Sequence, residues 1–569
     1  VRLLLRLRGV TMAKLKLRHL PALLASLALA APALAQDAAD SSGADTAAEA
    51  PRHSTARGKG RIEVEPYIEA AQVLTAELSP GNDVVTYTRL AAGVDASING
   101  RNTAGGLSLR YERNFGWGKN ASDSDTLSGL ARVSAAIIPQ TLTIEAGGLA
   151  ARASMDGDGR SVFGGIDNGN DVTHLYAIYA GPSLQTHAGD VAVNAGYRFG
   201  YSRADSPRSG FLNADGDPVD VFDESTMHAA SIHAGTRPGD VLPVGLGIGA
   251  GWNREDISNL DQRLEDFHVR GDVTVPVSQT LAVVGGIGYE KVKISNRDVL
   301  WDDAGHPVIG SDGHYKTDKS KPRQIAYDVD GLIWDVGIIW RPSPRTSLEA
   351  HVGRRYGSMS YYGSFGWQAS RRSSVNVSVY DSISGYGGQL NRALVSLPTD
   401  FQAIRDPVTG ELSGCVGSLK EGSCINGALG ALRSAVFRAR GITATYALDL
   451  GRITTGIGVG YDRRKYIAAD GTILAAVDGK TDENVWLAAY LNGRLGPRSS
   501  FSTNIYANWF DSNLDRGGGG TAFGVSAAYN YLLTQRLSAT AAVGLDGGTR
   551  KRDEDYWNAS ALVGMRYSF

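Results

Sequence analysis

The feature that most constrains this chain is an alternation of apolar and polar residues, renewed in segment after segment over nearly its whole length. A period of two places neighbouring side chains on opposite faces of an extended strand, so each segment reads as a strand with one apolar face. In 61–78 the apolar parity holds Ile62, Val64, Ile68, Ala70, Leu74 and Ala76, against Arg61, Glu63, Glu65, Glu69 and Glu77. In 191–202 Val191, Val193, Ala195, Tyr197, Phe199 and Tyr201 face away from Asn194, Gly196, Arg198, Gly200 and Ser202. The segment 244–253 sets Val244, Leu246, Ile248, Ala250 and Trp252 against four glycines and Asn253; 267–275 sets Phe267, Val269, Val273 and Val275 against His268, Arg270, Asp272 and Thr274. In 453–462 Ile453, Ile457, Val459 and Tyr461 oppose Thr454, Gly456, Gly458, Gly460 and Asp462. The final segment aligns Trp557, Ala559, Ala561, Val563, Met565, Tyr567 and Phe569 on one face.

A soluble sandwich also alternates, but it rarely sustains so many segments with aromatics near their ends and a terminal Phe. The expected fold is therefore all-β: a transmembrane, antiparallel, up-and-down β-barrel with an even strand number and lipid as the solvent of its apolar face. Short turns are expected at 99–102, Pro139-Gln140, 187–190, 238–243, 276–280, 342–346, 371–373, Gly451-Arg452, 496–499 and 533–536. Longer polar connections lie mostly between them, at 156–172, 203–225, 295–324, 383–438, 463–483 and 511–520. Barrels of the outer membrane have short periplasmic turns and long extracellular loops, so ten short turns with both termini periplasmic imply about 22 strands. The 71 glycines, about twice ordinary usage, then have a role as small lumen-facing residues.

The N-terminus reads as an address. Arg2, Arg6, Arg8, Lys14, Lys16 and Arg18 precede an apolar stretch, Leu20 to Ala31, and Ala33-Leu34-Ala35 is a small-x-small cleavage site. Residues 1–35 are expected to be a signal peptide for the general secretory pathway, 36–60 a disordered periplasmic leader, and 61–569 the barrel. Beyond the N-terminus no apolar run reaches 18 residues, which argues against a helical span. A formal charge of −2 implies no nucleic-acid partner. The expected partners are outer-membrane lipid, lipopolysaccharide and the barrel assembly machinery, for which the apolar final strand with Tyr567 and Phe569 would be the signal.

Barrels of this size include plugged importers of iron chelates. The 25 residues from Gln36 to Gly60 are too few for a folded plug ahead of the first strand. The best candidate filler is 383–438, the longest connection, in which Gln389–Leu397 and Asn426–Arg438 have helical composition. It also holds both cysteines, Cys415 and Cys424, expected to form a disulfide in an oxidising compartment.

Strand parity aims Arg110, Glu112, Arg132, Glu145, Arg198, Arg270, Asp272, Glu290, Asp335, Glu349, Arg355, Asp449, Asp462 and Arg494 into the lumen. They read equally as internal ion-pair filling and as a mixed-charge pore lining. Acidic stretches at Asp156-Gly157-Asp158 and Asn213 to Asp223 match no ion-binding pattern, and Gly479-Lys480-Thr481 lacks the upstream glycine of a phosphate loop. His228 and His233 differ in parity and should face opposite sides. No metal, cofactor or catalytic residue is expected.

Several phrases carry a family resemblance: RIEVEPYIEAAQVLTAEL (61–78), AAGVDASING (91–100), LYAIYAGPSL (175–184), NAGYRFGYS (194–202), GLIWDVGIIWRPSPRTSLEAHVGRRYGS (331–358) and the terminal GMRYSF. Over roughly 61–569 the chain resembles a family of outer-membrane barrels from sphingomonad-type bacteria, whose members often carry the label preprotein translocase subunit YajC. A small subunit with one inner-membrane helix does not match this chain. More loosely the chain resembles barrels associated with exopolysaccharide export. The resemblance implies a barrel and no functional residues. Three roles are therefore carried forward: a passive or gated channel for small solutes or an exported polymer, a structural or surface-interaction barrel with a filled lumen, and a protein-export component. An enzyme at the barrel rim is the fourth and weakest reading.

Overall fold

A strand surrounded by lipid must pair both its edges, because hydrocarbon offers its N–H and C=O groups no alternative partner. The chain meets this demand by closing a ring. The computed structural model describes residues 61–118, 121, 123–155, 161–163, 172–205, 221–417, 423–425, 432–513, 518–550 and 555–569. The leader 1–60 and the acidic stretches 156–158 and 213–220 lie outside the described residues.

The main sheet has 23 strands, all paired antiparallel. One is the three-residue Ser161–Phe163, which only extends the end of Leu142–Met155. The other 22 run up and down in chain order, and the first strand, Arg61–Ser79, pairs the last, Tyr556–Ser568, from Tyr67↔Ser568 to Ser79↔Trp557. The terminal Phe569 adds one more clasp, its N–H donating to the Pro66 carbonyl at 3.0 Å. All ten expected short turns are present, and both barrel ends of the chain lie at that rim. At the other rim, too, some connections are short, among them 80–83, 258–261 and 356–357.

The two faces separate as the alternation requires. Leu246 and Ile248 are exposed on the outer surface, Ile248 by 60%, while Gly247 and Gly249 of the same strand point inward towards His233. Outer aromatics sit towards both rims: Trp117, Trp252 and Trp509 at one, Tyr529, Tyr531 and Phe569 at the other. The two histidines divide as expected. His228 packs among Tyr197, Phe199 and Trp252 outside, whereas His233 Nε2 lies 3.2 Å from Asp272 inside.

Most strands outlast their apolar patterning. Gly245–Ile257, Gln262–Pro276 and Ile453–Tyr466 each continue past the expected end, through Arg254 and Asp256, Arg263 and Glu265, and Arg463 and Lys465. Above the lipid the outer face need not be apolar, but the ladder still satisfies the backbone. Three outer connections then fold together: Leu260, Val299, Ala468 and Leu474 form one buried cluster, and Ile473 N–H donates to Asp298 Oδ1 at 2.9 Å. Within this group Gly479-Lys480-Thr481 is a turn into the strand Thr481–Arg494, with Gly479 at φ +69°, rather than a phosphate loop.

Candidate functional site: the insertion in the lumen

The connection from Ser384 to Phe437 does not stay outside; it enters the barrel and crosses it. Its first element is the helix α1, Tyr386–Val395. The N-terminal end of α1 is held by Glu255, a fully buried carboxylate on the lumen face of Gly245–Ile257. Its Oε2 accepts from Gly385 N–H and its Oε1 from Gly388 N–H, both at 2.8 Å. A carboxylate there satisfies otherwise orphaned N–H groups and complements the helix dipole. The apolar side of α1, Tyr386, Leu390 and Leu394, packs on lumen-facing Leu149, Ala151, Leu175, Ala177 and Tyr179. Asn391 Nδ2 donates to Ser202 Oγ at 2.7 Å, and a side chain at the neighbouring Gly200 would meet Asn391 at 2.8 Å.

After α1 a small sheet pairs Gln402–Arg405 with Leu412–Gly417. The turn between them, Asp406–Gly410, is the tip that reaches the far wall. Asp406 Oδ1 accepts from the N–H of Val408 and Thr409, at 2.8 and 2.9 Å, and Gly410 completes the turn at φ +76°, a left-handed conformation that suits glycine. Five wall residues hold this tip. Arg89 Nη1 donates to the Val408 carbonyl at 2.6 Å, Asn504 Nδ2 to the Arg405 carbonyl at 2.8 Å, and Ser526 Oγ to Asp406 Oδ2. Arg405 Nη1 donates to Ser128 Oγ at 2.8 Å, and its Nη2 to Ser108 Oγ at 3.2 Å. Val408 itself is seated on Ala71, Val73, Ala528, Ala542 and Leu562, an apolar patch on the lumen face. The insertion thus leaves the ring at Ser373–Ser384 and Phe437–Asp449 and is fastened on the strands around the first–last seam.

The second expected helix is a correction. Of Asn426–Arg438, residues 426–431 lie outside the described residues; Leu432–Val436 is irregular, and Phe437 and Arg438 already belong to a barrel strand. Leu432 and Val436 are apolar because they are buried. Phe222 N–H bonds the Leu432 carbonyl, and Gln262 clamps Ser434 and Val436 from both sides of its amide. The backbone register sets Cys415 directly opposite Cys424, but the Cys415 side chain lies outside the described residues.

The lumen charges expected from parity lie on the inner wall, mostly in closed groups. Arg110 makes a two-pronged contact with Glu69, at 2.9 and 3.0 Å, and reaches Glu112 at 3.1 Å. Arg132 meets Glu145 at 3.4 Å. Arg270 bridges Asp335 and Asp272, and His351 links Asp335 to Glu349 at 2.9 and 3.1 Å. Arg355 joins Asp266 and Glu290, and Asp462 is shared by Arg464 and Tyr380. Asp449 caps the Gly451 N–H in a short turn. Arg198 is half-buried on the inner wall near Tyr179. Arg494 stands apart at the inner mouth, where its Nη2 donates to the Gly451 carbonyl at 3.1 Å.

Sequence reasoning did not single out Glu255, Arg405 or Asp406. A signal for the helix dock was nevertheless present: 149–151 and 175–180 are apolar at both parities, which a strand between lipid and water would not be.

A closed ring, apolar outside and polar within, decides the class. The chain is an integral outer-membrane β-barrel. No family model matches its sequence, and no curated protein does. Solved structures similar to it include the FrpB iron transporter from Neisseria meningitidis (10% identity, TM-score 0.40, covering 89% of this chain and 81% of that one). The ferric-catecholate import receptor Fiu from E. coli (9%, 0.41, 88% and 81%) and the siderophore receptor PirA from Acinetobacter baumannii (9%, 0.38, 90% and 81%) are also similar. Likeness at this level carries no function from those proteins to this chain.

Proposed function

We propose that this protein is a channel of the outer membrane whose bore is set by the insertion 385–436. The observation that supports this is the anchoring of the Asp406–Gly410 tip to strands across the lumen from its origin. A wide barrel crossed by a tethered segment conducts through whatever space the segment leaves. The ring closes without the segment, since every neighbouring strand pair has its own ladder. Deleting 390–436 should therefore leave a heat-modifiable barrel, raise single-channel conductance several-fold and sensitise cells to large antibiotics. Unchanged conductance and uptake would favour a structural, filled barrel, a reading that the paired lumen charges also fit.

The cysteine pair belongs to the same proposal. Antiparallel partners directly opposite each other bring their Cβ atoms within disulfide range. A disulfide there would keep the small sheet of the insertion in shape by restricting its unfolded states. The purified protein should resist maleimide until reduced, and then take up two labels. Labelling without reductant would remove the disulfide from the account.

A further inference from the structure

Beneath the tip of the insertion, at the rim of short turns, lies a cavity of about 450 Å³. Its wall carries five arginines, Arg110, Arg405, Arg494, Arg498 and Arg566, and only two carboxylates, Glu69 and Asp406. Both carboxylates are already engaged. Glu69 accepts from both Nη groups of Arg110, and Asp406 accepts from two backbone N–H groups and Ser526. Arg566 pairs with Asp95 at 3.1 Å and lies over the Tyr67 ring.

The remaining three guanidiniums make no ion pair among the described residues. Among the described residues Arg405 donates to neutral groups alone, the hydroxyls of Ser128 and Ser108 and nearby carbonyls, and its Nε, shielded from solvent, has no hydrogen-bond partner among them. Arg494 bonds one carbonyl, and among the described residues no carboxylate lies within ion-pair distance of it or of Arg498. Elsewhere the lumen pairs its charges with care, so an excess of cations confined to one cavity is a local departure that calls for a counter-charge. The remaining lining suits an oxygen-rich one: the hydroxyls of Ser499, Ser500 and Ser502 and the amide of Asn530 add donors around the guanidiniums. Planar guanidiniums grip phosphate and carboxylate oxygens through paired N–H bonds.

We infer that this inner vestibule is a binding site for small multivalent oxyanions, compounds carrying phosphate or several carboxylates. It names the solute class of the channel proposed above and rests on that reading for its role in transport. The site itself stands on the cavity and its unpaired cations, so binding and conduction are measured separately. Pyrophosphate is titrated into the detergent-purified full-length protein by calorimetry, and reversal potentials are read in a KCl gradient across planar bilayers. Pyrophosphate should bind saturably, and currents should favour chloride over potassium. Arg405→Gln should weaken binding about tenfold, as expected for a lost charge-assisted pair. If that variant assembles poorly, Arg494→Gln with Arg498→Gln tests the same site from the exposed mouth, where neither side chain is buried. Absence of pyrophosphate binding, or equal binding by the double variant, would overturn the site. Binding without any conductance would keep the site and sink the channel.

Discussion

Ile248→Arg should cost the barrel about 2–4 kcal/mol in lipid, the range for a cation near the bilayer midplane on a lipid-facing position. Ile248 lies within the apolar outer stretch Leu246, Ile248, Ala250 and Trp252, and no carboxylate lies directly beside it on the flanking strands, whose partners there are Ala234 and Gly271. One residue on, Gly249→Arg should behave differently. Its side chain would enter the lumen beside His233, whose Cδ2 stands 3.2 Å from the first added carbon. That substitution should act by crowding and by altered conductance. Unfolding titrations in lipid vesicles separate the two. Equal stability of Ile248→Arg and the parent would mean that this face does not meet lipid.

The physical reason these two neighbours differ is the same one that made the strands legible. Lipid penalises every polar outward residue, so the outer face is written at every second position, and the short turns are written in Pro, Gly and Asp between them. Where that penalty stops, the writing stops. Arg254, Asp256, Arg463 and Lys465 continue their strands above the lipid with no apolar alternation to announce it, because backbone hydrogen bonds and ion pairs such as Arg254–Asp256 and Arg463–Glu483, not an apolar face, hold them there.

The insertion was legible as a long segment with one helix, but not in its path. Its destinations are ordinary inward residues, Arg89, Ser108, Ser128, Asn504 and Ser526, contributed by three strands near the start of the barrel and two near its end, all far in sequence from the insertion. Nothing local distinguishes Ser526 from any other lumen serine. The same holds for the cation-rich vestibule, since Arg405 joins Arg494 and Arg498 only when the insertion crosses the lumen. Asn426–Arg438 misled for a related reason: Ala and Leu suit a helix, but they also suit a chain buried under loops and the inner face of a strand.

Glu255 offers the sharpest test of whether α1 keeps the insertion in place. Its carboxylate is the acceptor for both Gly385 and Gly388 N–H, in a site closed to water. Glu255→Ala would leave two buried donors without partners, at about 1–3 kcal/mol each, and would remove the favourable charge at the helix N-terminus. The ring loses nothing directly, since Gly245–Ile257 keeps its ladders to both neighbours. The expected result is a barrel of normal heat-modifiability whose conductance rises toward that of the 390–436 deletion. Glu255→Gln retains an acceptor oxygen for one N–H, so its effect should be clearly smaller. If Glu255→Ala conducts like the parent while the deletion conducts more, α1 is held by the packing of Leu390 and Leu394 on the wall, and Leu394→Asp should then open the channel where Glu255→Ala did not.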